Sequence, residues 1–388
     1  MSDARALRTP LSLQLLVAAF LIVWVCAAMF PLLWTAVMSF RLPLDALSSQ
    51  PWDVLLGPAT LRAGEGVSAL DMALAAAVVA GLAWAARRLA RQRLTVPALI
   101  AAWLIYAIAA ALALLILLPA LASAMPALGA LSRPLLGITL RHYRAVWVDH
   151  QFYRNFENSM IITAGVVTVS LTVGTLAGYG LARHGGRLGF FILLLALVFR
   201  ALPHSVLVTG YLPIFLGSRE LLAPLWNAPL LGPVLHLFST TPPSLYGQPA
   251  AIIIVLVSIN QPFTIWMMRS FFDNIPTELD EAARVDGCSH LEAFWRVIMP
   301  VMWPGVVTTG LFAFLLAYND YLVTSLLLDA QSQTMVPAIT QFLNRDTSST
   351  DQIEAIAAAV SITAPLFVLV MVFQRQIVSG LTAGAVKG

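Results

Sequence analysis

The sequence predicts an all-α polytopic membrane protein, on three observations. Hydrophobic residues make up 59% of the 388 residues and charged residues 11%, with a mean hydropathy of +0.84, a balance that ordinary water-soluble domains do not tolerate. Several apolar runs reach the roughly 20 residues that a helix needs to cross a bilayer. These runs are continuous, so they read as helices with internally paired backbones and not as the alternating strands of a barrel.

Taken in order, Leu11 to Met38 is apolar and follows Arg5 and Arg8. It is too long for the core of a cleavable signal and reads as a retained first span with a cytoplasmic N-terminus. Arg41 to Leu70 mixes acids, arginines and turn formers and reads as an outside loop. Ala69 to Ala86 is alanine-rich, with Ala77, Gly81 and Ala85 four residues apart, a spacing that lets helices approach closely. It reads as a span or as a surface amphipathic helix. Val96 to Ala122 is a span by length, and the arginines at 87, 88, 91 and 93 place the turn between these two inside.

Ser132 to Glu157 carries Arg133, Arg141, Arg144 and Arg154 among aromatics and reads as an interfacial belt. Asn158 to Leu181 and Phe190 to Leu216 then cross the membrane, the second interrupted by Arg200, Pro203 and His204. Ser218 to Pro249 is proline-rich and nearly uncharged, an outside loop or re-entrant segment. Ala250 to Phe272, Val301 to Leu328 and Ile353 to Phe373 complete eight expected spans with both termini cytoplasmic. Thirteen basic residues then fall inside, eight outside and Arg200 within the membrane, in the sense of the positive-inside rule.

Composition also excludes chemistry. The only lysine is Lys387, so the chain has no Walker A loop to hold a nucleotide's phosphates. HExxH and CxxC are absent, the six histidines are scattered, and Cys26 and Cys288 lie in different environments, which gives no metal site, nucleophile or disulfide framework. No basic tract interleaved with aromatics points to nucleic acid.

The most polar long segment is Pro276 to Pro300, PTELDEAARVDGCSHLEAFWRVIMP. Thr277 with Asp280 and Ser289 with Glu292 each have capping-box spacing, so two short helices are expected, with Gly287 ending the first and Pro300 separating the second from the next span. Asp286 near a helix C-terminus opposes the macrodipole by about 0.3–1 kcal/mol, which points to a partner for its charge.

Glu281-Ala282-Ala283, Gly287 after three intervening residues, then Val297 and Met299-Pro300 resemble the EAA signature of permease subunits of binding-protein-dependent ABC importers. Val297 and Met299 stand where the family pattern has Ile and Leu. Flanking Pro262-Phe263, Trp266, Arg269, Phe271-Phe272 and the C-terminal Gly380-Leu381-Thr382-Ala383-Gly384 resemble the maltose-permease-like, carbohydrate-uptake branch. The resemblance implies an ABC importer type I permease fold, the family's six spans plus an inserted hairpin over 71–122. The chain then divides into a first-span segment (1–40), a loop with the hairpin (41–131) and a core permease domain (132–388). The resemblance further implies that Glu281, Ala282, Ala283, Asp286 and Gly287 couple to a cytoplasmic ATPase, and that ATP and Mg are bound by that partner and no cofactor by this chain. A second, related permease, two ATPase subunits and a solute-binding protein outside are the implied partners, in a bacterial inner membrane.

Polar residues within spans are candidates for the solute path. Arg200 costs roughly 2.5–3.5 kcal/mol at a helix centre, so it faces protein or water, as an ion pair with Asp320 or a partner subunit, or as a solute contact. Asn260 and Gln261 precede Pro262, where they either stabilise a bend or touch ligand. Tyr318, Asn319, Asp320 and Tyr321 offer the amide, carboxylate and aromatic faces that suit a polyhydroxylated ring, or serve as interhelical glue. A sugar importer permease is the leading reading. A secondary transporter, for which inverted repeats are wanting, a permease for another solute and a membrane enzyme are the alternatives.

Overall fold

The computed structural model describes residues 11–91, 133–200, 204–237, 239–343 and 348–385, in two compact units, Met1–Val146 with Arg345–Val360 and Trp147–Asn344 with Ser361–Gly388. Among the described residues, five helices are long and apolar enough to cross a membrane, or six if one bent pair counts as a span. The expected span Val96 to Ala122 lies outside the described residues.

In the first unit, α1 (Leu11–Ser39) is apolar and exposed along most of its length, as a helix meeting lipid or another subunit would be. Arg41 to Leu70, expected as a loop, is folded. It forms α2 (Pro43–Ala46), α3 (Pro51–Leu56) and α4 (Pro58–Arg62), each opening on a proline, whose fixed φ and missing N–H suit the first helical position. Arg41 is 4% exposed and donates to the carbonyls of Val54, at 2.7 Å, Leu55 and Gly137. Asp45, also buried, accepts from Ala59 N at 2.9 Å and from Thr60 N and Oγ1 at 2.7 Å. These two charges replace the apolar core that so short a segment cannot build.

Strand β1 (Val67–Ser68) leads into α5 (Ala69–Arg91) and pairs antiparallel with β2 (Pro134–Leu136), Val67 opposite Leu136. Beyond it, α6 (Arg141–Arg144) carries Tyr143, whose ring stacks on Phe40 at 5.0 Å and whose hydroxyl lies 2.7 Å from Ser39 Oγ.

The second unit is built on α7 (Phe152–His184). Following it, α8 (Arg187–Arg200) and α9 (His204–Leu216) cover the described residues of the stretch expected as one interrupted span, with 201–203 outside them. Gly217 then joins α9 to α10 (Ser218–Trp226) at 52°. With α11 (Gly232–Leu235), the segment expected as a loop or re-entrant segment thus begins helical, bent against α9 as a re-entrant segment or a broken span would be. Leu245 N donating to Ser218 Oγ at 2.9 Å and Trp226 Nε1 to Ser239 O at 3.0 Å fold it back on itself.

The core packs α7 against α12 (Pro249–Phe272) and, after the polar segment, α15 (Met299–Tyr318). That segment holds α13 (Glu278–Val285) and α14 (His290–Ala293). The span expected over Val301 to Leu328 breaks after Tyr318 and resumes as α16 (Leu322–Leu327). The break has a local cause: Asp320 Oδ1 accepts from Thr324 N at 3.0 Å and Asn319 Nδ2 donates to Leu315 O at 3.0 Å, a side-chain competition with the helix ladder that ends one helix and starts the next. Then come α17 (Met335–Leu343) and α18 (Ser349–Ala385), whose residues to Val360 belong to the first unit.

Candidate functional site

The polar segment 276–300 folds as the spacing predicts at its centre and differently at both ends. Gly287 has φ +89°. Gly287 N donates to Arg284 O at 3.1 Å and Cys288 N to Ala283 O at 3.0 Å, the paired bonds of a Schellman close. Ser289 and Glu292 form their reciprocal box, with Ser289 N to Glu292 Oε2 at 3.0 Å and Glu292 N to Ser289 Oγ at 3.3 Å.

Thr277 makes no side-chain cap, its φ of −65° and ψ of −24° being helical and not those of a capping residue, and the Asp280 carboxylate that would complete the box is used elsewhere. Asp280 Oδ2 accepts from Arg183 Nε at 2.7 Å and Oδ1 from Tyr179 Oη at 2.7 Å. Nor does Pro300 separate α14 from the next span. A wide π turn, Phe294–Ile298, carries α14 straight into α15, and Pro300 sits directly after that turn, within the continuous run His290–Tyr318.

The connector is therefore joined to spans at both ends and seated on a third. Phe272, Ile275, Phe294, Ile298 and Met302 bury together with Met268, and the Tyr179 ring packs at 4.9 Å from Phe294 and 5.3 Å from Phe272. Ala283 and Ala293 are buried as well, at 5% and 2% exposure. The opposite side is open: Glu281, Ala282, Arg284, Asp286 and Gly287 are exposed, and Val285, Leu291 and Trp295 present 87%, 64% and 56% of their surfaces. Among the described residues, neither Glu281 nor Asp286 has an ion-pair partner. Apolar side chains thus stand exposed beside two carboxylates without an ion-pair partner among the described residues.

Arg200 lies with its guanidinium 4.5 Å from the Phe263 ring centroid, and no carboxylate pairs with it among the described residues. Asn260 is 1% exposed and donates to Thr264 Oγ1 at 3.0 Å, while Gln261 Nε2 reaches Ser170 O at 3.4 Å. Tyr318 is 2% exposed and donates to Ile362 O at 2.9 Å. Asn319 and Tyr321 are exposed at the break between α15 and α16. Tyr179 and Arg183 were not singled out from the sequence. Their signal is an aromatic and a cation four residues apart, hence on one helical face, at the end of a span.

The comparisons agree on a family. The family described as "Binding-protein-dependent transport system inner membrane component" matches residues 170–382. The chain is 35% identical over 256 residues to the diacetylchitobiose uptake system permease protein DasC of Streptomyces coelicolor, covering 65% of this chain and 82% of that one. It is 31% identical over 255 residues to the trehalose transport system permease protein SugB of Mycobacterium tuberculosis, covering 65% and 83%. A solved bacterial ABC transporter that imports the acidic polysaccharide alginate shares the fold, with a TM-score of 0.50 at 15% identity over 95% of this chain and 98% of that one. Since the family match spans more than half of the sequence and includes the whole connector, the protein belongs to the binding-protein-dependent transport family as a multi-pass inner-membrane component, a permease subunit of the ABC importer type.

Proposed function

We propose that this chain is one half of the membrane pathway of an ATP-driven importer of sugars or glycosides, and that the connector 276–300 is where ATP hydrolysis in a separate subunit is transmitted to it. The observation that carries this reading is the rigid, doubly span-linked helix pair with an exposed face of Glu281, Ala282, Val285, Asp286 and Leu291. The sugar class is supported by relatives named for diacetylchitobiose, trehalose and maltodextrin. ATP and Mg belong to two cytoplasmic ATPase subunits, because the sequence has no phosphate-binding lysine loop. A related second permease completes the pathway, a solute-binding protein delivers the ligand outside, and both termini lie in the cytoplasm.

Closure of the ATPase pair moves the connector, and the attached spans rock the pathway between inward and outward openings. Glu281 and Asp286 meet basic residues of the ATPase, Gly287 holds the turn, and Ala283 fixes the pair to its own membrane core. Arg200, Asn319 and Asp320 contact the passing solute, while Asn260 and Tyr318 hold the helices behind them. The test is co-purification with an ATPase, followed by a thermal-shift screen of the cognate binding protein against glycosides, since a ligand of the folded state raises its apparent melting temperature by mass action. ATP-dependent uptake of a stabilising glycoside is the expected result. Uptake driven by an ion gradient without ATP would overturn the reading.

A further inference from the structure

We infer that Asp280, Arg183 and Tyr179 form a latch that makes α13 move with α7, a helix to which the connector has no covalent link. This rests on the coupling role proposed above. The chain joins the connector only to α12 and α15, yet its most specific side-chain bonds go to α7. Arg183 Nε to Asp280 Oδ2 and Tyr179 Oη to Asp280 Oδ1 are both 2.7 Å. The other two guanidinium nitrogens reach the carbonyls of Phe272 and Ile275, each at 3.3 Å.

One arginine thus holds the last turn of α12, the link after it and the first turn of α13. The ion pair is largely shielded, with side-chain exposures of 9% for Arg183 and 16% for Asp280, and a charge-assisted pair with both carboxylate oxygens engaged has a fixed geometry. Asp280 sits where a capping carboxylate would serve Thr277, and that cap is absent. Its carboxylate is committed to α7 instead. Backbone closeness supports the same unit: beside the latch, a Cβ on Gly178 would lie 2.8 Å from Met268 Cβ, so α7 and α12 are in backbone contact there. Force applied to α13 is then delivered to α7, the helix on which the second unit packs.

The test uses the assembled transporter complex with the native cysteines replaced and spin labels at His184→Cys on α7 and Glu278→Cys on α13, both exposed positions. Pulsed spin-label distances are recorded without nucleotide and with ATP plus vanadate. With the latch intact, the distribution is expected to stay narrow and keep its mean in both states. D280N is expected to widen it at least about twofold and to make its mean shift with nucleotide, and D280E to restore the narrow form. Y179F keeps the ion pair and removes one donor, and it is expected to widen the distribution less. It serves as the second reading should D280N not assemble. A wild-type mean that moves with ATP overturns the latch, as does an unchanged distribution in D280N, or in Y179F where D280N is not obtained. A complex that carries no ATPase overturns the coupling role itself, which is a separate outcome.

Discussion

Gly178 of α7 lies so close to Met268 of α12 that an added Cβ would stand 2.8 Å from Met268 Cβ and 3.0 Å from Arg269 N. The crowded atoms are backbone or sit next to it, so no rotamer change relieves them and the helices themselves must part. Gly180, two residues on in the same helix, has nothing within 4 Å of the same position. Gly178→Ala is expected to destabilise the protein by about 1–3 kcal/mol, as overpacking does. Gly180→Ala should be neutral or stabilising, because alanine gains up to about 1 kcal/mol of helix propensity over glycine. Thermal unfolding of the two variants in detergent checks this: equal midpoints would show that α7 and α12 do not meet at this point.

The sequence made legible what depends on local chemistry. Gly287, the Ser289–Glu292 box and the apolar spans expected over 11–38, 158–181, 250–272 and 353–373 all announce themselves through spacing and composition, and each is found in the structure. What it hid depends on partners far along the chain. Thr277 with Asp280 has the same letters as a cap, but Arg183, 97 positions earlier, takes the carboxylate. Arg41 and Asp45 look like loop charges until the carbonyls of Val54 and Gly137 and the amides of Ala59 and Thr60 are seen around them. The break after Tyr318 was written locally, in Asn319 and Asp320, and was masked by the apolar residues on both sides.

Arg41 should be the residue on which the small fold of 40–68 with 134–143 depends. Its guanidinium satisfies three carbonyls inside a segment with little apolar core, and a buried acceptor left without a donor costs about 1–3 kcal/mol. Arg41→Met, which keeps most of the stem packing, is expected to lose at least about 2 kcal/mol and to open the segment to protease before the rest of the chain. Limited proteolysis with mass mapping reads this directly. Cleavage confined to wild-type rates and sites would count against a structural role for the guanidinium.

Gly287 separates strain from contact. Its φ of +89° excludes ordinary side chains, yet a Cβ there would meet nothing within 4 Å, so substitution acts only through the backbone. A β-branched residue held at positive φ costs of order 1–3 kcal/mol, and the turn between α13 and α14 should re-form at a different angle. Gly287→Val is expected to assemble normally while ATP hydrolysis persists and uptake per ATP falls severalfold. Gly287→Asn, which tolerates the left-handed region better, should fall less. The transported-solute to hydrolysed-ATP ratio in proteoliposomes measures both, and a wild-type ratio in the valine variant would remove the turn from the transmission path.

His142 makes the stability of the first unit depend on pH. It is 2% exposed and, among the described residues, its Nε2 has no hydrogen-bond partner. Burial pushes its pKa below the ordinary 6.5, against smaller opposing effects led by Glu354. The unfolded chain therefore binds the proton more readily than the folded one. Stability contributed by the neutral ring is fully present above about pH 6.5 and is lost as the pH falls from there through the lower folded value, below which the loss stops. Proteolytic opening of this unit should accelerate on acidification through that window. In His142→Gln, which cannot titrate, this component of the pH dependence should vanish, leaving only the shared response of the carboxylates at lower pH. An identical acid profile in the two proteins would mean that the ring takes up its proton without leaving its site.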